Sequence, residues 1–438
     1  MKTFDDIKLS KALLNALREQ NITEPTRIQR KAIPSILSGN DVVGIAQTGT
    51  GKTIAYLLPV LRDLKFSDQR PPRVLILVPT RELVVQVVSE IEKLSAYMTV
   101  RTLGIYGGTN INTQKQAIHE GCDIVVATPG RLYDLAMTGL LRLKEVKKLI
   151  IDECDEMLDL GFRPQIMRIF ELLPPKCQNL LFSATITSDV DELITTFFKK
   201  TERIIAAPSG TPISKIKQSA YLAPNFFTKL SLLKKLLEEG EDMEKIFIFV
   251  KSRAIADRLI SQLDEIFPET FGVIHSNKSQ NYRLRMVREF KEGALRGLVA
   301  TDIVSRGIDI ENVSHVINFD IPDQPEQYMH RIGRTGRAEQ DGIAVSFISE
   351  AERDDFSAIE NFMGISVETN NLPDEIEVSK KLIPEEEEPD LHDAPTILQA
   401  NHSVGEGMKF EKSKKQPKKE NIRPRDKAKR KSRKRRKK

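Results

Sequence analysis

The segment AQTGTGKT has the residue types of a loop that binds phosphate groups. It lies between the apolar run DVVGIA and a helix-like stretch, and its two glycines let backbone N–H groups approach phosphate oxygens closely. Its lysine can reach the β- and γ-phosphates of a nucleoside triphosphate, and its final threonine can ligate Mg²⁺. The pattern GxxxxGK[ST] would have Gly at its first position, where this chain has Ala, and a chance glycine-rich turn is the alternative. The predicted ATP-binding loop consists of Ala46, Gln47, Thr48, Gly49, Thr50, Gly51, Lys52 and Thr53.

Two adjacent carboxylates, Asp152 and Glu153, follow the apolar run KKLII. Two charges at the end of a buried strand are costly unless a cation or a reaction uses them. With a phosphate loop upstream, they predict the metal-holding and water-activating half of a nucleotide hydrolase. Asp152 is predicted to orient the Mg²⁺ shell together with Thr53, and Glu153 to position and polarise the attacking water. The alternative is a solvated acidic helix start with Asp at its N-cap.

The segment HRIGRTGR, residues 330–337, combines three arginines and a histidine with two glycines. Guanidinium groups match phosphate oxygens bidentately, and the glycines allow close backbone approach. Arginines delivered from a separate domain can stabilise the charge that develops on a γ-phosphate in the transition state. This interpretation predicts that hydrolysis requires two domains to close. A surface charge cluster is the alternative.

The elements that would position these residues are apolar runs alternating with helix-like stretches. Runs such as RVLILV, KKLII and KIFIFV suit strands that are covered on both faces, as in parallel sheets. The stretches between them carry apolar residues at spacings of three and four, which is typical of amphipathic helices. The alternation occurs in both halves and predicts two tandem doubly wound α/β domains. The polar motifs would then line the crevices beyond the carboxyl ends of the strands.

Composition shifts suggest where the domains end. Periodicity fades in TERIIAAPSGTPISKIKQSAYLAPN, which is punctuated by Pro and Gly. After Val367 the chain becomes acidic and Pro-interrupted, and then strongly basic. We predict a first domain at residues 1–207, a linker at 208–215, a second domain at 216–370 and a disordered tail at 371–438.

The basic end of the chain predicts contact with nucleic acid. Residues 409–438 contain 18 Lys and Arg against three acidic residues, whereas the whole chain of 438 residues has a net charge of only +5. A disordered arm of this kind can hold phosphates by charge and counterion release. A solubility tail and a nuclear-localisation signal are the alternatives, since both have the same composition.

Composition also bears on the compartment. No apolar run approaches the roughly 18 residues of a membrane helix, and the N-terminal segment lacks the features of a secretory signal. The three cysteines form neither a metal-ligand pattern nor a disulfide framework, which is typical of a reducing compartment. These features predict a cytoplasmic protein.

The order of the motifs carries a family resemblance. The series PTRIQ, AQTGTGKT, PTREL, TPGR, DECD, SAT, ATDIVSRGIDI and HRIGRTGR resembles the DEAD-box family of RNA helicases, in particular its bacterial members. The resemblance spans about residues 4–337 and implies two RecA-like domains, ATP and Mg²⁺ as ligands, and RNA held through its backbone with little sequence preference.

The resemblance also implies roles for individual nucleotide-side residues. Gln29 would read the adenine edge, and Phe4 would belong to the same pocket, within an adenine motif at about residues 2–30. Asp309 would contact the ribose. Arg334 and Arg337 would be the two arginine fingers.

Further implied roles concern coupling and RNA. Asp155 would link hydrolysis to strand separation through the hydroxyls of Ser183 and Thr185. Taken singly, each RNA-side residue could instead be an ordinary turn or helix-start residue. Gln280 and Arg283 also resemble a family motif, with a solvated helix as the alternative. The positions that match RNA-backbone contacts are Arg81, Gly108, Thr128, Arg131 and Thr301.

Three departures from the family pattern qualify these expectations. Cys154 replaces the usual Ala of the acidic motif, and because Cys is small and apolar we expect activity to persist. Asn21 and Ile22 stand where a Gly–aromatic pair is common, and Arg27 where Pro is common. Ile22 removes a stacking surface, which predicts a lower affinity or selectivity for the nucleotide.

The predicted function is RNA-stimulated ATP hydrolysis coupled to local, non-processive unwinding of short RNA duplexes or to remodelling of RNA–protein assemblies. One alternative is an ATP-gated RNA clamp, and another is a DNA-unwinding translocase, which the motif set disfavours. Ribosome precursors, cold adaptation and RNA-decay complexes are the contexts that the resemblance suggests.

Overall fold

Parallel β-strands form two sheets, and the phosphate loop, the acidic pair and the SAT segment lie at the ends of strands in the first of them. The computed structural model describes residues 3–46, 49–205, 216–240, 243–302, 313–336 and 341–387. We call the described residues up to 205 the first lobe and those from 216 the second lobe. The strands of the first lobe are β1 (Asp41–Ile45), β2 (Val74–Leu77), β3 (Thr102–Ile105), β4 (Ile124–Ala127), β5 (Lys148–Asp152), β6 (Gln178–Ser183) and β7 (Thr201–Ile205). Those of the second lobe are β8 (Ile216–Leu222), β9 (Ile246–Val250), β10 (Phe271–Ile274), β11 (Gly297–Thr301), β12 (His315–Asn318), β13 (Gly342–Ile348) and β14 (Glu368–Asn370).

Helices connect these strands. The first-lobe helices are α1 (Lys11–Glu19), α2 (Arg27–Leu37), α3 (Lys52–Asp63), α4 (Arg81–Leu94), α5 (Ile111–Glu120), α6 (Pro129–Met137), α7 (Cys154–Asp159), α8 (Arg163–Leu172) and α9 (Ser188–Phe197). Those described in the second lobe are α10 (Phe226–Glu239), α11 (Arg253–Ile266), α12 (Gln280–Lys291), α13 (Pro325–Ile332) and α14 (Arg353–Met363). Short 3₁₀ helices lie at Phe4–Ile7 and Glu350–Glu352.

The two sheets have the same strand order. The first is β3-β4-β2-β5-β6-β1-β7 and the second is β10-β11-β9-β12-β13-β8-β14, with every pair parallel. Lowering each strand number of the second sheet by seven reproduces the first. The predicted fold class of two tandem doubly wound α/β domains is therefore confirmed.

Apolar packing on both faces of each sheet explains the unbroken apolar runs of the sequence. On β2, Val74 and Ile76 point into one core cluster, whereas Leu75 and Leu77 point into the cluster on the opposite face. Alternate strand residues face opposite sides, so a strand covered on both sides must be apolar at every position. The second sheet has a cluster on each face in the same way.

Local capping sets several motif residues at helix starts on the carboxyl side of the first sheet. The Thr80 hydroxyl accepts a hydrogen bond from the backbone N–H of Leu83 at 3.3 Å, so that α4 begins at Arg81. Gly51 has φ +86°, and α3 begins directly after it at Lys52. Such left-handed backbone favours glycine, since it carries no Cβ atom.

Part of the predicted disordered tail is ordered, which corrects the boundary placed at residue 370. Residues 371–387, here called the C-terminal strap, pack against the second lobe. Ile383 is 2% exposed in an apolar cluster of that lobe. The Glu386 carboxylate accepts the backbone N–H of Phe226 at 2.6 Å, and the Asn225 side chain donates to the carbonyl of Ser379 at 2.6 Å. The acidic composition hid these anchors, because Ile383 is an isolated apolar residue and Glu386 supplies the negative charge that the start of α10 favours. Residues 388–438 lie outside the described residues.

The strap predicts a difference between two truncations. A chain ending at residue 387 is expected to unfold at the same denaturant concentration as the full chain, whereas one ending at residue 370 unfolds earlier. Ile383→Ala is expected to lower the free energy of unfolding of the second lobe by about 2–4 kcal/mol, because it leaves a cavity in an apolar cluster. Val378→Ala is the control, since Val378 is exposed and its loss costs less than about 0.5 kcal/mol. Urea unfolding followed by circular dichroism measures both, and equal midpoints for the two truncations would show that the strap adds no stability.

No helix among the described residues has the length and apolar character needed to cross a membrane.

Candidate active site and nucleic-acid interface

The phosphate loop and the acidic pair lie side by side because their strands are neighbours. β5 pairs with β6 and β6 with β1, and parallel pairing brings all three carboxyl ends to one edge. Lys52 is buried, and its Nζ atom has no hydrogen-bond partner among the described residues. A buried ammonium group without a partner is costly, and an anionic ligand would satisfy it. Gln47 and Thr48 of the predicted loop lie outside the described residues.

Gln29 is only 2% exposed and has two structural partners. Its Oε1 accepts the backbone N–H of Thr26 at 2.9 Å, which completes the capping box of α2. Its Nε2 donates to the carbonyl of Gly51 at 3.1 Å and so joins α2 to the phosphate loop. An amide side chain has two N–H donors and two acceptor lone pairs, so one donor and one acceptor remain for a ligand.

The predicted aromatic of the adenine pocket is covered by protein. Phe4 is buried in a core cluster of the first lobe that also contains Ile28 and Ala46. Ile22, which stands at an aromatic position of the family, packs against the same cluster. Both side chains therefore contribute to the core beside the loop.

Asp152 is held by two hydrogen bonds. Its Oδ1 accepts the backbone N–H of Glu153 at 3.0 Å, and its Oδ2 accepts the hydroxyl of Tyr56 at 2.8 Å. Burial raises the pKa of Asp152 to about 6, although Lys52 favours the charged form. Burial and the Asp152 carboxylate also raise the pKa of Tyr56 well above its usual value, so the phenol remains a donor. Sequence reasoning missed Tyr56, although its position four residues after Lys52 puts both on one face of α3.

Glu153 has an unusual backbone conformation, and two cations act on its carboxyl group. Its φ is +53°, which is uncommon for a residue with a Cβ atom and often marks a functional site. Burial and the neighbouring Glu156 raise the pKa of its carboxyl group to about 8, against the opposing effect of Lys52 and Arg334. Lys52 belongs to the first lobe and Arg334 to the second. The structure therefore brings both predicted cations to one carboxyl group.

Asp155, Ser183 and Thr185 form the hydrogen-bonded group that the motifs suggested. The Asp155 Oδ2 accepts the backbone N–H and the hydroxyl of Thr185, both at 2.8 Å. The Ser183 hydroxyl accepts the backbone N–H of Asp155 at 3.2 Å. Burial alone would raise the pKa of Asp155, but His330, Lys52 and these hydroxyls hold it below its usual range. Asp155 is thus a buried carboxylate that joins the ends of β5 and β6.

The arginines of HRIGRTGR differ in role. Arg331 is 2% exposed, and its guanidinium group forms two hydrogen bonds of 2.6 Å to the Asp302 carboxylate and a third to the carbonyl of Asp320. It also stacks on the Phe249 ring at 5.1 Å, so its charge is used inside the second lobe. Arg334 instead acts on Glu153 across the lobe boundary. Arg337 and Asp309 lie outside the described residues.

Two contacts between the lobes were not anticipated. His330 Nδ1 lies 3.3 Å from the Glu156 Oε1, close to the hydrolytic carboxylates. At a second place between the lobes, the Glu82 Oε1 accepts a hydrogen bond from Gln280 Nε2 at 2.9 Å and lies 3.2 Å from Arg283 Nη1. Sequence reasoning gave Gln280 and Arg283 a resemblance to a family motif, with a solvated helix as the alternative. In the structure they are partly buried against α4.

Three of the four predicted RNA-side residues of the first lobe, Arg81, Thr128 and Arg131, line one cleft with second-lobe residues. The cleft has a volume of about 720 Å³. Arg81 lies directly over the turn at Gly107 and Gly108, and a Cβ atom at position 108, where φ is +79°, would collide with its guanidinium group. The residues lining the cleft include Thr80, Arg81, Gly107, Thr128, Arg131, Ser276, Lys278, Ser279, Gln280 and Arg283.

The predicted RNA residues that line a cleft divide between two clefts. Thr128 occupies the N-cap position of α6 without a side-chain capping hydrogen bond, and Arg131 Nη2 donates to the carbonyl of Thr109 at 3.4 Å. Thr301, at the end of β11, lines a neighbouring cleft of about 340 Å³ with Lys251 and Arg331. Leu160 lines both clefts, so they are adjacent. Lys278 was missed, since a single lysine in a loop carries no signal by itself.

The cysteines are poor nucleophiles in this fold. Cys154 is fully buried in the first-lobe core, and burial raises the pKa of its thiol. Burial likewise raises the pKa of Cys122 and of Cys177 to about 12. Thiols are the unreactive form, which disfavours a redox function for Cys154.

Comparison with known proteins agrees with this geometry. The family described as DEAD/DEAH box helicase matches residues 26–193, and that described as helicase conserved C-terminal domain matches residues 228–339. The chain is 37% identical over 382 residues to the ATP-dependent RNA helicase DbpA of Bacillus subtilis, which covers 87% of this chain and 79% of that protein. It is 39% identical over 352 residues to the DEAD-box ATP-dependent RNA helicase CshA of Geobacillus kaustophilus, covering 80% and 74% respectively.

The chain belongs to the DEAD-box family of ATP-dependent RNA helicases. Its fold agrees with that assignment, because S. cerevisiae Dbp5 bound to RNA and ADP BeF3 superposes with a TM-score of 0.78. That similarity has 28% sequence identity and covers 85% of this helicase and 96% of Dbp5. The predicted family, fold and enzyme class of the helicase are therefore confirmed.

Proposed function

We propose that this helicase couples RNA-stimulated ATP hydrolysis to local, non-processive separation of short RNA duplexes or to remodelling of RNA–protein assemblies. The observation that carries the proposal is that HRIGRTGR of the second lobe docks beside the acidic residues of the first, where His330 Nδ1 lies 3.3 Å from Glu156 Oε1 and Arg334, like Lys52, favours the ionised form of Glu153. Preorganised cations at such a point stabilise charge that develops during phosphoryl transfer.

Residues around the phosphate loop have the chemistry to bind ATP. Lys52 offers a buried ammonium group to phosphate oxygens, and the start of α3 adds backbone N–H groups. The unused donor and acceptor of Gln29 suit an adenine edge. Glu153 would then hold the attacking water, and Arg334 with Arg337 would stabilise charge from the second lobe.

Thr53 and Asp152 are the residues that we expect to hold Mg²⁺. When bound, the ion would supply positive charge to the phosphate oxygens. Tyr56 and the backbone of Glu153 orient the Asp152 carboxylate for this purpose. No cluster of three or more His, Cys, Asp or Glu side chains suited to a metal occurs in the part of the chain that the structure describes. This fits Mg²⁺, which binds through one or two protein groups with water and substrate phosphates.

RNA would bind in the 720 Å³ cleft and touch both lobes there. ATP would also touch both lobes, at the phosphate loop of the first and Arg334 of the second. Two ligands that both require the same lobe arrangement bind cooperatively. The Asp155–Thr185 group lies between the two regions and could carry this coupling. Phosphate and 2′-hydroxyl contacts would make binding largely independent of sequence and selective for RNA.

The decisive experiment compares ATP hydrolysis by the full chain with no nucleic acid, with single-stranded RNA and with DNA of the same sequence. We expect stimulation by RNA, little by DNA, and displacement of a strand from a short RNA duplex. Absence of RNA stimulation would overturn the proposal. Stimulation without displacement would favour an ATP-gated RNA clamp, and equal stimulation by DNA would favour a DNA translocase.

Arg81→Ala is expected to weaken binding of single-stranded RNA by about 10-fold to 150-fold, since a charge-assisted hydrogen bond is worth roughly 1.5–3 kcal/mol. The slope of affinity against salt should also fall by about one phosphate contact. Fluorescence anisotropy at several salt concentrations measures both. Arg142→Ala removes the same charge from an exposed position outside this cleft and is the matched control. Equal weakening by both substitutions would indicate a general charge effect and contradict a role for Arg81.

The basic segment at residues 409–438 would tether the enzyme near its substrate and raise its effective concentration on structured RNA. RNA-rich assemblies such as ribosome precursors or RNA-decay complexes, in the cytoplasm, are the partners that this proposal implies. Crosslinking the full chain and a chain ending at residue 408 to cellular RNA tests it. The proposal for the tail requires that the two chains recover different RNA populations.

A further inference from the structure

Glu156 is a buried carboxyl group at the lobe boundary that the hydrolytic scheme above leaves without a role. It lies on α7 three positions after Glu153 and is 1% exposed. Glu153 immediately precedes α7 and Glu156 lies in its first turn, so the two carboxyl groups lie near the start of one helix. A carboxyl group is rarely buried this deeply unless specific partners use it.

Glu156 has a partner in each lobe. Its Oε1 lies 3.3 Å from the Nδ1 of His330, on α13 of the second lobe. Within the first lobe its carboxyl group acts on Glu153, whose pKa it raises. Glu156 therefore contacts His330 of the second lobe and also acts on the carboxyl group that is expected to position water.

We propose that Glu156 is a positioning residue, which fixes the Glu153 carboxyl group for hydrolysis once His330 has docked. This inference rests on the function proposed above for Glu153. A pair formed by Glu156 and His330 for stability alone would not explain why a second carboxyl group lies against Glu153, where two like groups repel. The positive φ of Glu153 also takes its side chain out of the ordinary helical direction, so a neighbouring group is needed to define its position.

Substitutions that separate side-chain length from charge test this role. Glu156→Gln keeps the length, and its amide can donate to Glu153 while its carbonyl accepts from His330. Glu156→Asp keeps the charge but shortens the reach by one methylene group. We expect Glu156→Ala and Glu156→Asp to lower the kcat of RNA-stimulated hydrolysis by about 10-fold to 100-fold, as for misplaced catalytic groups, with the KM for ATP unchanged. Glu156→Gln should keep at least about a third of the wild-type kcat.

The link to the second lobe is tested by a double-variant comparison. His330→Ala is expected to lower kcat to a similar extent as Glu156→Ala, and the double variant should be no slower than the slower single variant. Residues that act as one unit give such non-additive effects. Thermal unfolding and ATP affinity without RNA establish that each variant is folded. If Glu156→Ala does not fold, the kcat values of Glu156→Gln, Glu156→Asp and His330→Ala still test the role of Glu156.

Two failures can be distinguished. A wild-type chain without RNA-stimulated hydrolysis would remove the proposed function itself. If the wild-type chain has that activity, two results would remove only the role of Glu156. One is a wild-type kcat in Glu156→Asp, and the other is a double variant in which the reductions in kcat of Glu156→Ala and His330→Ala multiply. Loss of stability with an unchanged kcat would assign Glu156 to folding alone.

Discussion

Replacing Arg334 by alanine is expected to lower the kcat of RNA-stimulated ATP hydrolysis by about 10³-fold or more, the range found for arginine fingers. Arg334 is buried on the second lobe, yet its charge acts on Glu153 of the first. Arg334 therefore adds positive charge to the site around Glu153 only when the two lobes are in contact. Affinity for ATP without RNA should change little, because that step uses the first lobe.

Single-turnover hydrolysis at saturating RNA measures the effect on the chemical step. Arg334→Lys should recover part of the rate, since it retains a point charge but loses the bidentate geometry of the guanidinium group. Arg285→Ala is the control, because Arg285 is an exposed arginine of the same lobe. A fall of less than about tenfold in Arg334→Ala would mean that the second lobe contributes little to transition-state stabilisation.

Lys52→Ala is expected to lower kcat/KM for ATP by at least about 10²-fold to 10³-fold, the cost of removing one preorganised donor in an active site. The reason lies in the environment of the ammonium group, which is buried without a hydrogen-bond partner in the described residues. It also favours ionisation of Asp152 and Glu153, so its removal leaves both carboxyl groups more prone to protonation.

Nucleotide binding and steady-state hydrolysis separate the two contributions of Lys52. Lys176→Ala is the control, since Lys176 is an exposed lysine in the turn before β6. Circular dichroism establishes that Lys52→Ala is folded. Retention of wild-type ATP affinity and rate by a folded Lys52→Ala protein would contradict the assignment of the phosphate loop.

Much of the fold could be predicted from the sequence because the signals were local. Strands covered on both faces need unbroken apolar runs, and helices between them need apolar residues at spacings of three and four. The strap at residues 371–387 shows where local signals fail. Its charge and prolines indicated disorder, whereas one apolar residue, Ile383, and one carboxylate, Glu386, anchor it to distant partners.

The phosphate loop and the acidic pair of the candidate site could also be predicted from the sequence. Loop glycines, Lys52 and the Asp152–Glu153 pair carry their chemistry in residue type and spacing. Gln29 also has structural contacts, because it completes the capping box of α2 and donates a hydrogen bond to the carbonyl of Gly51. The contact with Gly51 could not be predicted, because Gly51 is 22 positions away in the sequence. Tyr56 was missed for the same reason, because its hydroxyl donates to Asp152, which is 96 positions away in the sequence.

The sequence by itself determined the family, the two α/β lobes and the residue types that suit phosphate and metal chemistry, because each depends on short segments. Only the tertiary structure decided which arginine of HRIGRTGR is used inside its own lobe and which reaches the other. Arg331 and Arg334 have the same chemistry and lie three positions apart, but Asp302 neutralises the first whereas Glu153 faces the second. The role of a charged side chain depends on the charge opposite it, and here that partner is set by strand order and by contact between lobes.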